Sequence, residues 1–163
     1  MLKFEYSEEL KKRIQQCMDN RNYKYEFDEN MGVFYLPLDP GGIWGLVKYH
    51  IVLYESEYMV SAQPNFHANP EDIIIYSEMA KLLCLINYNI KNGSLSMDLR
   101  GDIRHRYTVN CKNCPPSQEV IEESIWSAAW CFKYYGEAFY QVLTGQMTAA
   151  QAKYDLGLFS GCV

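Results

Sequence analysis

This 163-residue chain is poor in the features that announce chemistry or a membrane. Its longest apolar runs, such as LLCLI at 82–86, are far too short to cross a bilayer. Its opening, MLKFEYSEELKKR, has no apolar core of the kind a secretory signal carries. Basic excess is missing too: 15 Lys and Arg face 20 Asp and Glu, a net charge of −5. That balance speaks against general binding of nucleic acid or of acidic membranes, since nothing neutralises the phosphates. No glycine-rich phosphate loop follows a strand, and no serine elbow is present. The glycine-rich GGIWG lacks the lysine and the helix start that phosphate cradling uses. The sequence therefore assigns no catalytic residue and no cofactor-binding residue, and a non-enzymatic protein in the cytoplasm, with reduced thiols, is the expectation.

What is present is aromatic. Aromatic residues make up 15% of the chain, and 14 of them are tyrosines. Tyrosine joins apolar area to a polar tip, which suits half-exposed sheet faces and contact surfaces. Apolar content of 48% is enough for one core, so a single domain over residues 1–163 is expected.

Periodicity supplies the architecture. Ser7 caps a helix over 7–20, with Leu10, Ile14, Cys17 and Met18 on one face. About four strands follow: two tyrosine- and phenylalanine-rich runs around a DENMG turn, then LVKYHIVLY and YMVSAQ joined at ESE. A central helix starts with Asn69 as cap and Pro70 at its first position, and Asn92-Gly93 stop it. Its stripe is Ile75, Met79, Leu82, Ile86 and Ile90.

A hairpin over 94–109 comes next. A three-residue loop at Arg100-Gly101-Asp102 pairs Leu99 with Ile103, Met97 with His105 and Leu95 with Tyr107, gathering the apolar residues on one face. The same register sets Asp98 opposite Arg104 and Ser96 opposite Arg106 on the wet face. RGD is thus read as a turn, its glycine and aspartate serving chain reversal. A long helix over 118–143, capped by Ser117, carries Ile121, Ile125, Ala128, Phe132, Tyr135, Phe139 and Val142 on one stripe. Trp126, Trp130 and Tyr134 form a second row, which either meets a partner or lies under the first helix or the tail. Thr148 opens a capping box for a short last helix, and the tail LFSGCV is apolar enough to dock.

The run LINYNIKNGSLSMDLRGDIRHRYTV, following YMVSAQPNFHANPED, resembles the YbjN family of bacterial sensory transduction regulators. The features that carry the resemblance are Asn87, Gly93, Asp98 and Gly101, the strand before Pro64 and the VLTGQMTAAQA ending. The resemblance covers roughly residues 7–156 and implies a type III secretion chaperone-like fold: α+β, an antiparallel sheet with helices packed on one face. It also implies a non-enzymatic module, commonly a homodimer, that holds a peptide or partner protein. The NCKNC and DPGG loops are not family features.

Cys111 and Cys114, in that NCKNC loop, are the sharpest chemical candidates. One CxxC gives two thiolates where structural zinc takes four ligands, so a bound metal would need a second subunit's pair. Pro115-Pro116 separate the cysteines from the next helix start, which disfavours an activated dithiol. A metal- or redox-responsive regulator is nonetheless the second reading, and an enzyme of unrecognised chemistry the third. Cys17, Cys84 and Cys131, on helical patterns, are expected to be buried and inert. His105 is expected on the buried face, hydrogen-bonded there, while His50 could lie on either face. Arg104 and Arg106, on the open sheet face, are either contacts for a partner or simply solvated. With Trp126, Trp130 and Tyr134 they complete the partner-binding candidates.

Overall fold

The computed structural model describes residues 4–158. Along them the order is α1 (Glu8–Asn20), β1 (Glu26–Asp28), β2 (Val33–Leu38), β3 (Val47–Leu53), β4 (Glu57–Gln63) and α2 (Ile73–Asn87). Then come β5 (Ser94–Met97), β6 (Ile103–Asn110), α3 (Gln118–Leu143) and α4 (Ala149–Asp155). The strands form one antiparallel sheet in the order β1-β2-β3-β4-β6-β5. The fold is α+β.

Alternation decides which way the sheet faces. On β3, Val47, Tyr49, Ile51 and Leu53 are buried, while Lys48, His50 and Val52 point the other way. Tyr49 lies opposite Leu36 on one side and Ala62 on the other, so one apolar face runs across the strands. The α3 stripe closes that face: Ile121, Ile125, Ala128, Phe132, Tyr135, Phe139 and Val142 are all buried. α1 contributes Ile14, Cys17 and Met18, and α2 contributes Met79, Leu82, Leu83 and Ile86. Each fully buried large side chain here stabilises by roughly 1.5–3 kcal/mol relative to exposure. Inside, the Tyr58 hydroxyl meets Ser124 Oγ at 3.2 Å, and Ser124 donates to the Ile121 carbonyl at 2.7 Å.

The DPGGIWG segment is not a phosphate cradle but a support for an aromatic lid. Trp44 folds down against Phe66, with ring centroids 4.0 Å apart, and lies over the middle of α3. A side chain at Gly136 would collide with Trp44 Nε1, which explains a glycine inside a long helix.

Two expected boundaries move. Asn69 forms a turn of its own, its side chain accepting from Glu71 N at 3.1 Å, and Asp72 caps α2 by accepting from Ile75 N at 3.0 Å. α2 ends at Asn87, five residues before Asn92, because the Asn87 amide turns to β5. It donates to the Leu95 carbonyl at 2.8 Å and accepts from Leu95 N–H at 2.7 Å.

The hairpin register is corrected as well. Met97 faces Ile103, Leu95 faces His105, Ser96 faces Arg104 and Ser94 faces Arg106. The connection is therefore residues 98–102, two longer than expected. Asp98 explains this: its carboxylate accepts from Arg100 N at 2.9 Å and Asp102 N at 3.0 Å, so it closes its own turn. Leu99 is thrown to the tip, 89% exposed, rather than pairing with Ile103. A slip of two preserves the faces, so His105 stays buried and the arginines stay on the open side. Asp98 still reaches Arg104, at 3.8 Å, but from the turn rather than from the ladder.

Gly101 shows why RGD stands here. Its φ is +84°, and a Cβ would run into the Ala68 carbonyl oxygen. That same approach lets Ala68 N–H donate to the Gly101 carbonyl at 3.0 Å. The Gly101→Ala variant is expected to lose about 2–4 kcal/mol in urea unfolding, since both the positive φ and the contact forbid a methyl group. A loss below about 0.5 kcal/mol would mean the two loops do not meet this way.

Candidate functional site

Three surfaces carry the residues that the sequence singles out. The first is the outer row of α3. Trp126, Trp130 and Tyr134 are 46%, 55% and 52% exposed, so neither the first helix nor any other described residue buries them. Trp130 and Tyr134 stack with centroids 4.9 Å apart and planes 9° from parallel, and Tyr135 meets both edge-on. Trp130 and Tyr134 are thus held against each other and against Tyr135. Beside it, Arg21 at the end of α1 pairs with Glu122 of α3. Burial pushes the neighbouring Tyr23 phenol upward, and a hydrogen bond with Trp126 opposes that shift.

The second lies at the foot of this row. A cavity of about 450 Å³ is lined by Trp126, Trp130, Glu123, Asn92, Cys131 and His105, among others. His105 is 1% exposed, on the face expected, with its ring set against the Asn92–Gly93 backbone and no side-chain partner. Burial drives its pKa down to about 4, with the Asn92 backbone acting weakly the other way. The imidazole is neutral at physiological pH. Cys131 beside it is buried, and burial pushes its thiol up to about 12. Neither group is poised to react.

The third is the uncovered sheet face. Arg104 and Arg106 project there with Lys48 and His50, and Arg104 pairs with Asp98. His50 resolves onto this side, edge-on to Tyr35 with centroids 5.1 Å apart. Burial lowers its pKa, and the nearby Arg104 and Lys48 charges lower it further. Burial works to raise the Asp98 pKa, but backbone hydrogen bonds from Asp102 and Arg100, with the arginine charges, hold it below the ordinary value. Asp98 and Arg104 line none of the cavities described here.

The CxxC pair stands apart from all three. Cys111 and Cys114 are free thiols, Cys111 half-buried and Cys114 exposed. Burial raises the Cys111 pKa, with the neighbouring Cys114 and Glu57 adding to it, the reverse of an activated thiol. Among the described residues, no three His, Cys, Asp or Glu side chains converge as metal ligands. Cys84 departs from expectation: it is exposed, and lines an apolar groove of about 750 Å³ between α2 and α4. The cause is packing, because α4 touches α2 through Ala149 and its neighbours, leaving Cys84, Leu85 and Tyr88 uncovered. Of the apolar tail, Leu158 is buried; Cys162 and the rest of 159–163 lie outside the described residues.

Sequence reasoning missed Lys48 and His50 as companions of the arginines. The signal was available: in Val47-Lys48-Tyr49-His50-Ile51 the polar residues alternate with the core ones. It missed the close approach of the Asn92–Gly93 backbone to the His105 ring, which has no sequence signature.

No family model matches the chain, and no curated protein matches it. A solved structure does: "Crystal structure of YbjN, a putative transcription regulator from E. coli", at 17% identity and a TM-score of 0.48, covering 81% of this chain and 87% of that one. Among the described residues, no helix is long and apolar enough to cross a membrane.

His105 links stability to pH. Its folded pKa of about 4 lies below the free value of 6.5, so the unfolded chain binds the proton first as pH falls. Stability is full above the free value and drops between it and about 4. Between pH 7.5 and pH 5 this side chain alone should cost about 2 kcal/mol, read as the difference in urea stability between wild type and His105→Phe. Parallel pH profiles for the two proteins would show that the imidazole is solvated in the folded state.

Proposed function

We propose that this chain is a non-enzymatic cytoplasmic interaction module, and that two copies associate through the Trp126–Trp130–Tyr134 row of α3. The observation that carries this reading is the row itself. Three large aromatic side chains are about half exposed on a helix whose opposite stripe is fully packed, and two of them are already stacked. Tryptophan and tyrosine dominate association energies, and their rigid rings lose little freedom on contact. A row along one helix is also self-complementary about a two-fold axis, the commonest symmetry of soluble oligomers. The resemblance in sequence to a commonly dimeric, partner-holding family supports the same reading. The open sheet face, with Arg104 and Arg106, then remains free for a partner protein, in a regulatory or chaperone-like role.

Light scattering on a sizing column tests it. At about 50 µM the wild type should elute at twice the monomer mass and Trp130→Glu at the monomer mass. Because Trp130 is exposed, the variant's stability should stay within about 0.5 kcal/mol of wild type. A monomeric wild type, or a dimer indifferent to the glutamate, removes the proposal.

A further inference from the structure

The open sheet face carries more than two isolated arginines. β3 presents Lys48 and His50, and β6, two strands away, presents Arg104 and Arg106. Between them β4 presents Ser61, 9% exposed, opposite His50 and Arg106, and the half-buried Gln63 opposite Lys48, with Met59 further along the strand. The ladder His50–Ser61–Arg106 fixes the spacing: two steps between strands, about 10 Å. The result is a trough with a small polar floor and cationic walls. At the β2 side it runs into a cavity of about 470 Å³ lined by Tyr35, Lys24, Lys48, His50 and Glu26.

The charge here runs against that of the whole molecule. The chain has a net charge of −5, yet Lys24, Lys48, Arg104 and Arg106 gather on this face. The same face carries Glu26 on the cavity rim and Asp98, already engaged with Arg104 at 3.8 Å, with Asp28 and Glu57 further off toward the strand ends. Arg104 Nε is buried and donates to nothing. A guanidinium is a fixed fork built for planar carboxylates, so two arginines two residues apart on β6, with a lysine across the trough, point to an anionic group. Burial and these same cations lower the His50 pKa, which disfavours a further positive charge there, and the imidazole can donate or accept a hydrogen bond.

We infer that this trough binds an extended acidic segment of a partner protein, with carboxylates taken by Arg104, Arg106 and Lys48 and an aromatic or aliphatic side chain set against Tyr35. The inference rests on the interaction-module reading and names the chemistry of the partner. Extended peptide suits the site because alternate side chains of a strand fall about 7 Å apart, the same repeat that separates Arg104 from Arg106 along β6. A long polyanion suits it less: beyond these few cations it would meet a net-negative surface.

Fluorescence anisotropy on the full chain tests this with labelled peptides of about twelve residues, alternating Glu-Ser or Lys-Ser, and with single-stranded DNA of similar length. The glutamate peptide should bind, weakening about tenfold between roughly 50 and 250 mM salt, and the lysine peptide should not. Arg104→Gln with Arg106→Gln should weaken it at least about tenfold, and Lys48→Gln separately by about threefold, with circular dichroism confirming the fold. No binding of the glutamate peptide, or equal binding by the arginine double variant, overturns the inference. Tighter binding of DNA overturns it in favour of a nucleic-acid face. The dimer test is independent: a dimer that ignores the peptide removes only this inference, while a monomer that binds it removes only the dimer.

Discussion

The pairing of β4 with β6 is the contact on which the rest of the molecule depends. β4 ends the run of hairpins that begins at β1, and the chain then leaves the sheet for α2 before returning. On return it is β6, not the nearer-in-sequence β5, that joins β4, over six residue pairs from Glu57–Asn110 to Ala62–His105. That choice puts the longest strand inside the sheet and leaves the shorter β5 at its edge. It brings the His105 face under α3 and the arginine face alongside β3. With β5 in that place, neither the cavity at the foot of α3 nor the cationic trough would exist.

α3 divides the molecule's aromatic content between two purposes. Its inner stripe, with Phe132, Tyr135 and Phe139, is spent on the core, where Phe66 adds a further ring. Its outer row keeps indole and phenol surface at the boundary with water. The two faces lie on one rigid helix of 26 residues, so their relative position is set by helical pitch rather than by loops. A rigid, prearranged row loses less entropy on association than one that must first be ordered.

The elements were legible in the sequence where local chemistry is unopposed. α3 runs over the residues its caps and stripe specify, Ser7 caps α1, and the Thr148–Gln151 capping box is present. Reading failed where a side chain served distant backbone. Asn87 leaves its helix to bond Leu95, and Asp98 consumes its carboxylate inside a turn, lengthening the loop and expelling Leu99. Both are polar residues whose local propensities permit several partners, and only the tertiary arrangement selects one. Because strand faces depend on parity alone, the wrong loop length still gave the right side for Arg104, Arg106 and His105. The surfaces were thus partly legible: the aromatic row and the arginines by periodicity, but not the company they keep.

Asn87 has a wider consequence. Its amide occupies the outward N–H and C=O of Leu95 on the four-residue β5, at one margin of the sheet, and the opposite margin is the three-residue β1. A stray strand from another molecule therefore finds few vacant backbone donors and acceptors at either rim, the usual nucleus of runaway β-polymerisation. In a chain this rich in tyrosine and phenylalanine, with a sheet left bare on one side, short and partly plugged borders work against that fate.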